Sequence, residues 1–287
     1  MSSLSHLFPA SALPFSVEMF PPKGQLTLDA AREVAAGLAQ ARPSFVSVTC
    51  SAGGGGNSAQ TVDIAALLQS EFAIPGIAHL TCIGATRVSL DQQMRRMREA
   101  GVTTVLALRG DMVEGQQPGD FLYAKDIIPL LKREGFTVGA AAYPEGHISC
   151  FDEADNLRHL KEKQEAGADF FVTQLCFDND VLLRFCCQAR EAGITAPITC
   201  GIMPFLAKSQ LQRMVFLCGS SLPAPIIKLL AKYEDSPEEL RQAGIRYACR
   251  QLVGLAQAGV DGLHVYAMNQ PDIALAAAEA LAAEGLR

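Results

Sequence analysis

Eight short apolar runs recur along the chain, and each is followed by a longer segment with helical patterning. They are FSVEMF (15–20), SFVSVTC (44–50), IAHLTC (77–82), VTTVLAL (102–108), TVGAAAY (137–143), DFFVTQL (169–175), PITCGI (197–202) and DGLHVYA (261–267). The runs are continuous rather than alternating with polar residues, as in parallel strands covered on both faces. The first seven begin 25 to 35 residues apart, and the last gap, from 197 to 261, is about twice as long. Eight such units without a break in composition predict an α/β fold, a single (β/α)8 TIM barrel over residues 1–287 with extra helix before the last strand. The alternative is an open doubly wound sheet. The absence of a strong dinucleotide fingerprint after any strand favours the barrel.

The intervening segments carry helix signals. Leu28, Ala31, Val34 and Leu38 fall on one stripe behind a cap at Thr27, and Leu90, Met94 and Met97 on another behind Ser89. Ser236-Pro237-Glu238-Glu239 reads as a capping box with proline in the first turn. Several segments end in Ala-Gly: at Ala100-Gly101, Ala166-Gly167, Ala192-Gly193 and Ala258-Gly259. Glycine just past a helix and before a strand is the expected αβ turn.

Composition narrows the function class. Hydrophobic residues make up 49% of the 287, enough for a large core, and the net charge is −6 with no basic block. That argues against nucleic acid as the main partner. No apolar stretch is long enough for a transmembrane span, and no signal peptide opens the chain, so a cytoplasmic protein is expected. The nine cysteines are odd in number, form no CxxC and mostly sit in apolar runs. They read as small buried thiols in a reducing compartment, with no metal site.

In a barrel of this type the reactive groups gather at the C-terminal strand ends. Glu18 stands there, just ahead of Pro21-Pro22, which end the strand. A carboxyl in so apolar a setting resists ionisation, which suits a general acid near neutral pH. A glutamate salt-bridged inside the barrel is the competing reading. Thr49 is followed by the glycine-rich SAGGGGN (51–57), which reads as a phosphate-cradling loop or as a plain loop, since it lacks the Lys-Ser/Thr of a P-loop. Arg109-Gly110-Asp111 ends strand 4 as a ligand-facing group or a simple ion pair. His79 fits a core histidine, and Lys161 and Lys163 a solvated helix face. Tyr143, Glu145, His147, Gln174, His264, Tyr266 and Asn269 complete the polar set at the strand ends.

Taken in order, VEMFPPK, FVSVTCSAGG, AHLTCIGAT, LALRGD, AAYPEGH with LKEKQEAGADFFVTQLCFD, and LHVYAMN give the chain a resemblance to the methylenetetrahydrofolate reductase family over residues 14–270. The resemblance implies FAD bound across the C-terminal face without a Rossmann unit. It also implies hydride transfer from the reduced flavin N5 to 5,10-methylenetetrahydrofolate, giving 5-methyltetrahydrofolate. By the same resemblance Glu18 is the proton donor that opens the substrate ring, and Asp111 lies near both flavin and folate. Thr49, His79, Arg109, Gly110, Asp111, Tyr123, Ala124, Tyr143, His147, Asn156, His159 and Lys163 match FAD-lining positions, with Lys163 toward the phosphates. Gln174 matches the pterin-binding glutamine, whose amide offers both a donor and an acceptor.

The chain departs from the family pattern at three positions. Gln270 stands in place of an arginine near the folate tail, Lys208 in place of an aromatic residue with Phe205 as its substitute, and Asn156 in place of an aspartate. These departures bear on the folate-tail contacts and the electron source, for which NAD(P)H or an electron-donating protein partner is expected. A homo- or hetero-oligomer is expected as well, with no effector-binding module after the barrel. Two other classes compete: a pterin- or phosphate-binding barrel enzyme without flavin, and a non-catalytic barrel subunit of a larger complex.

Overall fold

A computed structural model of the chain describes residues 4–287 apart from 10–11, 22–27, 51–57, 112–114, 116, 118 and 151. All eight expected strands form: β1 (Phe15–Met19), β2 (Phe45–Val48), β3 (Gly76–Thr81), β4 (Thr104–Leu108), β5 (Thr137–Ala142), β6 (Phe170–Thr173), β7 (Ile198–Ile202) and β8 (Gly262–Tyr266). Each pairs in parallel with the next, and β8 pairs back onto β1, so the sheet is a closed barrel rather than an open doubly wound one. Helices α1 (Leu28–Ala39), α2 (Ser58–Phe72), α3 (Arg87–Glu99), α4 (Ala124–Arg133), α5 (Glu153–Glu165) and α6 (Asn179–Glu191) follow the first six strands. The long gap before β8 holds α7 (Lys208–Cys218), α8 (Ala224–Lys232) and α9 (Pro237–Gln257), and α10 (Pro271–Ala283) closes the ring.

Alternate residues of each strand face opposite ways. On β1, Phe15, Val17 and Met19 join the apolar shell between barrel and helices, which leaves Ser16 and Glu18 on the interior face. The lower interior is filled by Leu7, Phe45, Ile77, Leu106, Phe170 and Val172, with Leu4 and Phe8 of the N-terminal segment packed beneath. The barrel is thus a packed core closed at its N-terminal end. A second, smaller core of Phe177, Met203, Phe205, Leu211, Ile226 and Leu240 anchors α7–α9 beside the mouth.

Local signals are partly as expected. Gly101, Gly167, Gly193 and Gly259 all adopt positive φ after their helices, as the Ala-Gly endings predict. Leu90, Met94 and Met97 are buried on α3, but its cap is Thr86, not Ser89. Ser89 is the third helical residue, and the two side chains cap each other's backbone reciprocally. Ser236 does precede α9, yet its side chain makes no capping hydrogen bond, so the expected box is incomplete. Leu28 is exposed, and Ala35 takes its place on the buried stripe of α1. The Thr27 cap lies outside the described residues. No disulfide forms among the nine cysteines; Cys82, Cys176 and Cys200 are buried, whereas Cys187 is exposed. Among the described residues no helix is long and apolar enough to cross a membrane, and no group of His, Cys, Asp or Glu could hold a metal ion.

Candidate active site

The end of β1 is held from the opposite edge of the closure. Asn269, just past β8, accepts from the Phe20 amide at 2.9 Å and donates to the Phe20 carbonyl at 2.8 Å. Met268 and Asn269 both adopt the left-handed conformation, costly for methionine, so the chain turns sharply to make this clamp. The clamp fixes the strand two residues beyond Glu18. Glu18 lies across from Ser47 of β2 and Tyr266 of β8. Burial pushes its carboxyl up from 4.5 to about 8. His79 of β3 brings Nε2 to 3.8 Å from Glu18 Oε2. Burial drives that imidazole down to about 3, so the two groups are a neutral acid beside a neutral ring, not an ion pair. The competing reading, a salt-bridged Glu18, needs the His79 ring charged, and burial opposes that charge. His79 Nε2 is buried and has no hydrogen-bond partner among the described residues.

Around Glu18 the interior is polar. Tyr266 donates to the Thr173 carbonyl at 2.6 Å, and burial followed by the Glu18 charge raises its phenol well above the ordinary value. His264 is fully buried, with Nδ1 2.8 Å from Ser16 Oγ, and burial takes it down to about 3. The Ser47 hydroxyl is buried without a partner among the described residues. Cys218, the last residue of α7, reaches the same mouth: burial, then the Asp111 and Glu18 charges, push its thiol up to about 11. Asp111 is exposed and acts on Tyr143 as well.

Beside this mouth a cleft of about 460 Å³ opens between the ends of β4 and β5 and helices α4 and α5. Arg109, Tyr123, Ala124, Tyr143, His147, Asn156, His159 and Lys163, eight of the expected FAD-lining residues, all border it. The Tyr143-Pro144-Glu145-Gly146 turn closes with Gly146 donating to the Tyr143 carbonyl at 3.1 Å, and Gly146 has a positive φ. That turn stands His147 edge-on to the Tyr143 ring, with centroids 4.9 Å apart. Lys163 is not on a solvated face, as the pattern had suggested. Its Nζ donates to the Ala141 carbonyl at 2.8 Å and lies 5.2 Å from the Tyr143 ring centre. Burial lowers its ammonium to about 8. Lys161 likewise is tied, donating to the Gly193 carbonyl at 2.7 Å. Asn156 is buried and donates to the Tyr143 carbonyl at 2.8 Å.

These residues fit an anionic aromatic cofactor. Arg109 Nε is buried with no partner among the described residues, so the cleft wall holds an uncommitted donor. The α4 N-terminus, preceded by Tyr123, opens into the cleft, where helix amides favour an anion. Tyr123 exposes its ring, and His147 and Lys163 add donors. Gly110 lets β4 pass close to β3: a methyl there would come 2.8 Å from Thr81 Cβ. A cleft of about 400 Å³ adjoins this one through Cys150 and Asn156 and runs to Glu145 and Arg184, and another of about 480 Å³ lies at the closed end by Phe8.

Other expected residues are dispersed around the mouth. Thr49 directly follows β2, and its carbonyl accepts from Thr61; the 51–57 loop lies outside the described residues. Gln174 follows β6, its Oε1 taking the Leu175 amide at 2.9 Å. Gln270 accepts from Arg241 of α9 at 2.8 Å, so a guanidinium stands beside position 270 even though the residue itself is an amide. Phe205 is fully buried in the smaller core, and Lys208 is exposed and 3.1 Å from Glu234. Cys218 and Arg241 lie in helices far along the chain, and nothing in their local patterns tied them to the mouth.

A family profile described as methylenetetrahydrofolate reductase matches residues 4–282. The Arabidopsis thaliana methylenetetrahydrofolate reductase (NADH) 1 is 33% identical over 273 residues, covering 89% of this chain and 46% of its own length. The chain thus spans about half the length of that relative. The Pectobacterium carotovorum subsp. carotovorum 5,10-methylenetetrahydrofolate reductase is 32% identical over 263 residues, covering 91% of this chain and 87% of its own. A solved Clostridium thermocellum protein that binds two copies of 5-methyl-5,6,7,8-tetrahydrofolic acid aligns over 94% of this chain and 96% of its own, with TM-score 0.64 and 15% identity, which speaks for the fold alone.

Proposed function

The chain belongs to the methylenetetrahydrofolate reductase family, and from that premise we propose that it reduces 5,10-methylenetetrahydrofolate to 5-methyltetrahydrofolate with FAD as cofactor and Glu18 as general acid. The observation that carries the reading is the place of Glu18, on the end of β1 between Ser47 and Tyr266 and two residues before the Asn269 clamp, where burial raises its carboxyl to about 8. A carboxyl held there keeps its proton at neutral pH yet can still release it, which is what a general acid needs.

Arg109, Tyr123, Ala124, Tyr143, His147, Asn156, His159 and Lys163 hold the cofactor in this reading, joined by Thr49 and Gly110 just past their strands and by His79 within β3. Bound there, FAD in its reduced form would supply the hydride for the substrate's methylene carbon. Glu18 protonates the amine that leaves that carbon as the five-membered ring opens. Asp111 faces the cationic substrate that results and stabilises it by charge. Gln174 orients the pterin through its amide. The donor that recharges the cofactor is NAD(P)H or an electron-donating protein.

Anaerobic stopped-flow absorbance on the purified protein tests this. The protein is expected to be yellow, to bleach on reduction, and to recover its colour with methylenetetrahydrofolate. Glu18→Gln should keep the colour and lose the recovery rate by ~10²-fold or more. A protein that binds no flavin, or a Glu18→Gln variant that reoxidises at the parent rate, overturns the reading. Bleaching by NADH alone separates a nicotinamide donor from a protein donor.

A further inference from the structure

Among the described residues nothing within hydrogen-bonding distance restrains the Glu18 carboxyl, and one buried group is poised to do so. His79 Nε2 lies 3.8 Å from Glu18 Oε2 and has no other partner among the described residues. It is too far for a hydrogen bond as it stands, and about 1 Å of side-chain movement closes the gap. A buried imidazole nitrogen left unpaired carries a desolvation cost, which that bond would remove.

We propose that His79 is a positioning residue for Glu18: its ring is protonated on Nε2 and donates to Glu18 Oε2, so that the acidic proton sits on Oε1. The inference rests on Glu18 acting as the acid. It assigns the neutral ring a definite tautomer. With Oε2 occupied as an acceptor, the remaining oxygen carries the proton. When Glu18 gives that proton up, the same N–H faces a carboxylate, and a hydrogen bond to the charged form is the stronger one. His79 therefore stabilises the conjugate base and makes Glu18 a better acid than burial alone would leave it. The proton that Glu18 gives up goes to the leaving amine of the substrate, and the His79 proton stays on Nε2.

The other titratable groups around the pair leave this assignment clear. Tyr266 on β8 and Cys218 at the end of α7 face Glu18, and burial raises both, so they stay neutral around pH 7. His264 on β8 faces His79, and it too is held neutral by burial. Leu106 lies across from His79 on β4 and brings no charge. Glu18 is thus the group that titrates in the working range.

Two measurements decide the matter, and neither is a rate. In the parent protein, 15N shifts of His79 should report a neutral ring protonated on Nε2 from about pH 5 to about pH 9. A ring protonated on Nδ1 alone, or charged near pH 6, overturns the proposal. In protein labelled with 13C-glutamate, the Glu18 carboxyl carbon is identified by its loss in Glu18→Gln. Its midpoint should rise by about one unit in His79→Leu and return toward the parent value in His79→Gln, whose amide supplies an N–H. An unmoved midpoint in a folded His79→Leu overturns the proposal, and if that variant does not fold the 15N arm still decides. In folate reduction, His79→Leu should lower kcat about tenfold with KM nearly unchanged. If Glu18→Gln reduces folate normally while the midpoints move as stated, the pairing stands and the acid role of Glu18 is the part that fails.

Discussion

Gly201 and Tyr266 share one space at the barrel mouth: a methyl on Gly201 would lie 2.7 Å from Tyr266 Cε2 and 2.9 Å from its hydroxyl oxygen. The same methyl would come 2.5 Å from the Thr173 carbonyl, to which Tyr266 donates. Gly201→Ala must therefore push the tyrosine off that carbonyl or spread β6 from β7. Overpacking of this kind costs about 1–3 kcal/mol. Tyr266 is also the strand partner of Glu18, so folate reduction should fall along with stability. A thermal melt and a rate measured well below the melting range check both effects. Parent-like stability would show that the tyrosine can move freely.

Asp111 brings a carboxylate to the rim between Tyr143 and Cys218, facing the same mouth as Glu18. A negative charge there opposes the gain of electrons by a bound flavin and favours a cationic substrate. Asp111→Asn should raise the flavin reduction potential and slow folate reduction about tenfold, corresponding to about 1.4 kcal/mol. Spectroelectrochemical titration and single-turnover reoxidation measure the two. An unchanged potential together with an unchanged rate removes Asp111 from the site.

Two buried histidines and the half-buried Glu18 give stability a shape in pH. Burial lowers His79 and His264 from 6.5 to about 3, and raises Glu18 from 4.5 to about 8. Between about pH 4.5 and 6.5 the unfolded chain binds the two histidine protons while the fold alone keeps the Glu18 proton. The unfolded chain holds one proton more, and stability rises with pH. Between about pH 6.5 and 8 only the Glu18 proton differs, now bound by the fold, and stability falls. These groups place a maximum near pH 6.5. Glu18→Gln should remove the decline on the alkaline side, and His264→Gln should make the acid side shallower by one proton. Denaturant melts across pH test it, and a parent curve flat from about pH 6.5 to 8 would contradict a raised Glu18.

The barrel was legible because its signal is long-range and repeated. Each apolar run was found to within a residue or two at its start, and the Ala-Gly endings turned out to be positive-φ turns. The cleft was legible through motifs at strand ends, because strand and loop order fix where Arg109, Tyr143 and His147 emerge. Caps were less legible: Ser89 and Thr86 both have side chains able to cap, and only the backbone geometry shows which of them does. The surroundings of Lys163 and Phe205 were not legible, for a common reason. Lys163 turns inward to a strand carbonyl and Phe205 into a core built by α7–α9, and each depends on tertiary neighbours rather than on its own segment. Arg241 meets Gln270 only because α9 packs beside α10, a pairing that no local pattern announces.

Lys163 offers a test of cofactor binding that needs no turnover. Burial holds its ammonium at about 8, from an ordinary 10.5, while Nζ rests on the Ala141 carbonyl beside Tyr143. An anionic group arriving in the cleft favours the charged form and moves that value back up. FAD binding at about pH 8.5 should therefore take up protons, and binding at about pH 6.5 should take up few through Lys163, since it is already charged there. Calorimetric titration in buffers of different ionisation enthalpy reads the uptake directly. Lys163→Met should abolish the difference between the two pH values and weaken FAD binding about tenfold or more, the size of a hydrogen bond to a charged group. Binding enthalpies that do not depend on the buffer at about pH 8.5 would mean that Lys163 does not meet the phosphates, and the assignment of this cleft to the FAD phosphates would go with it.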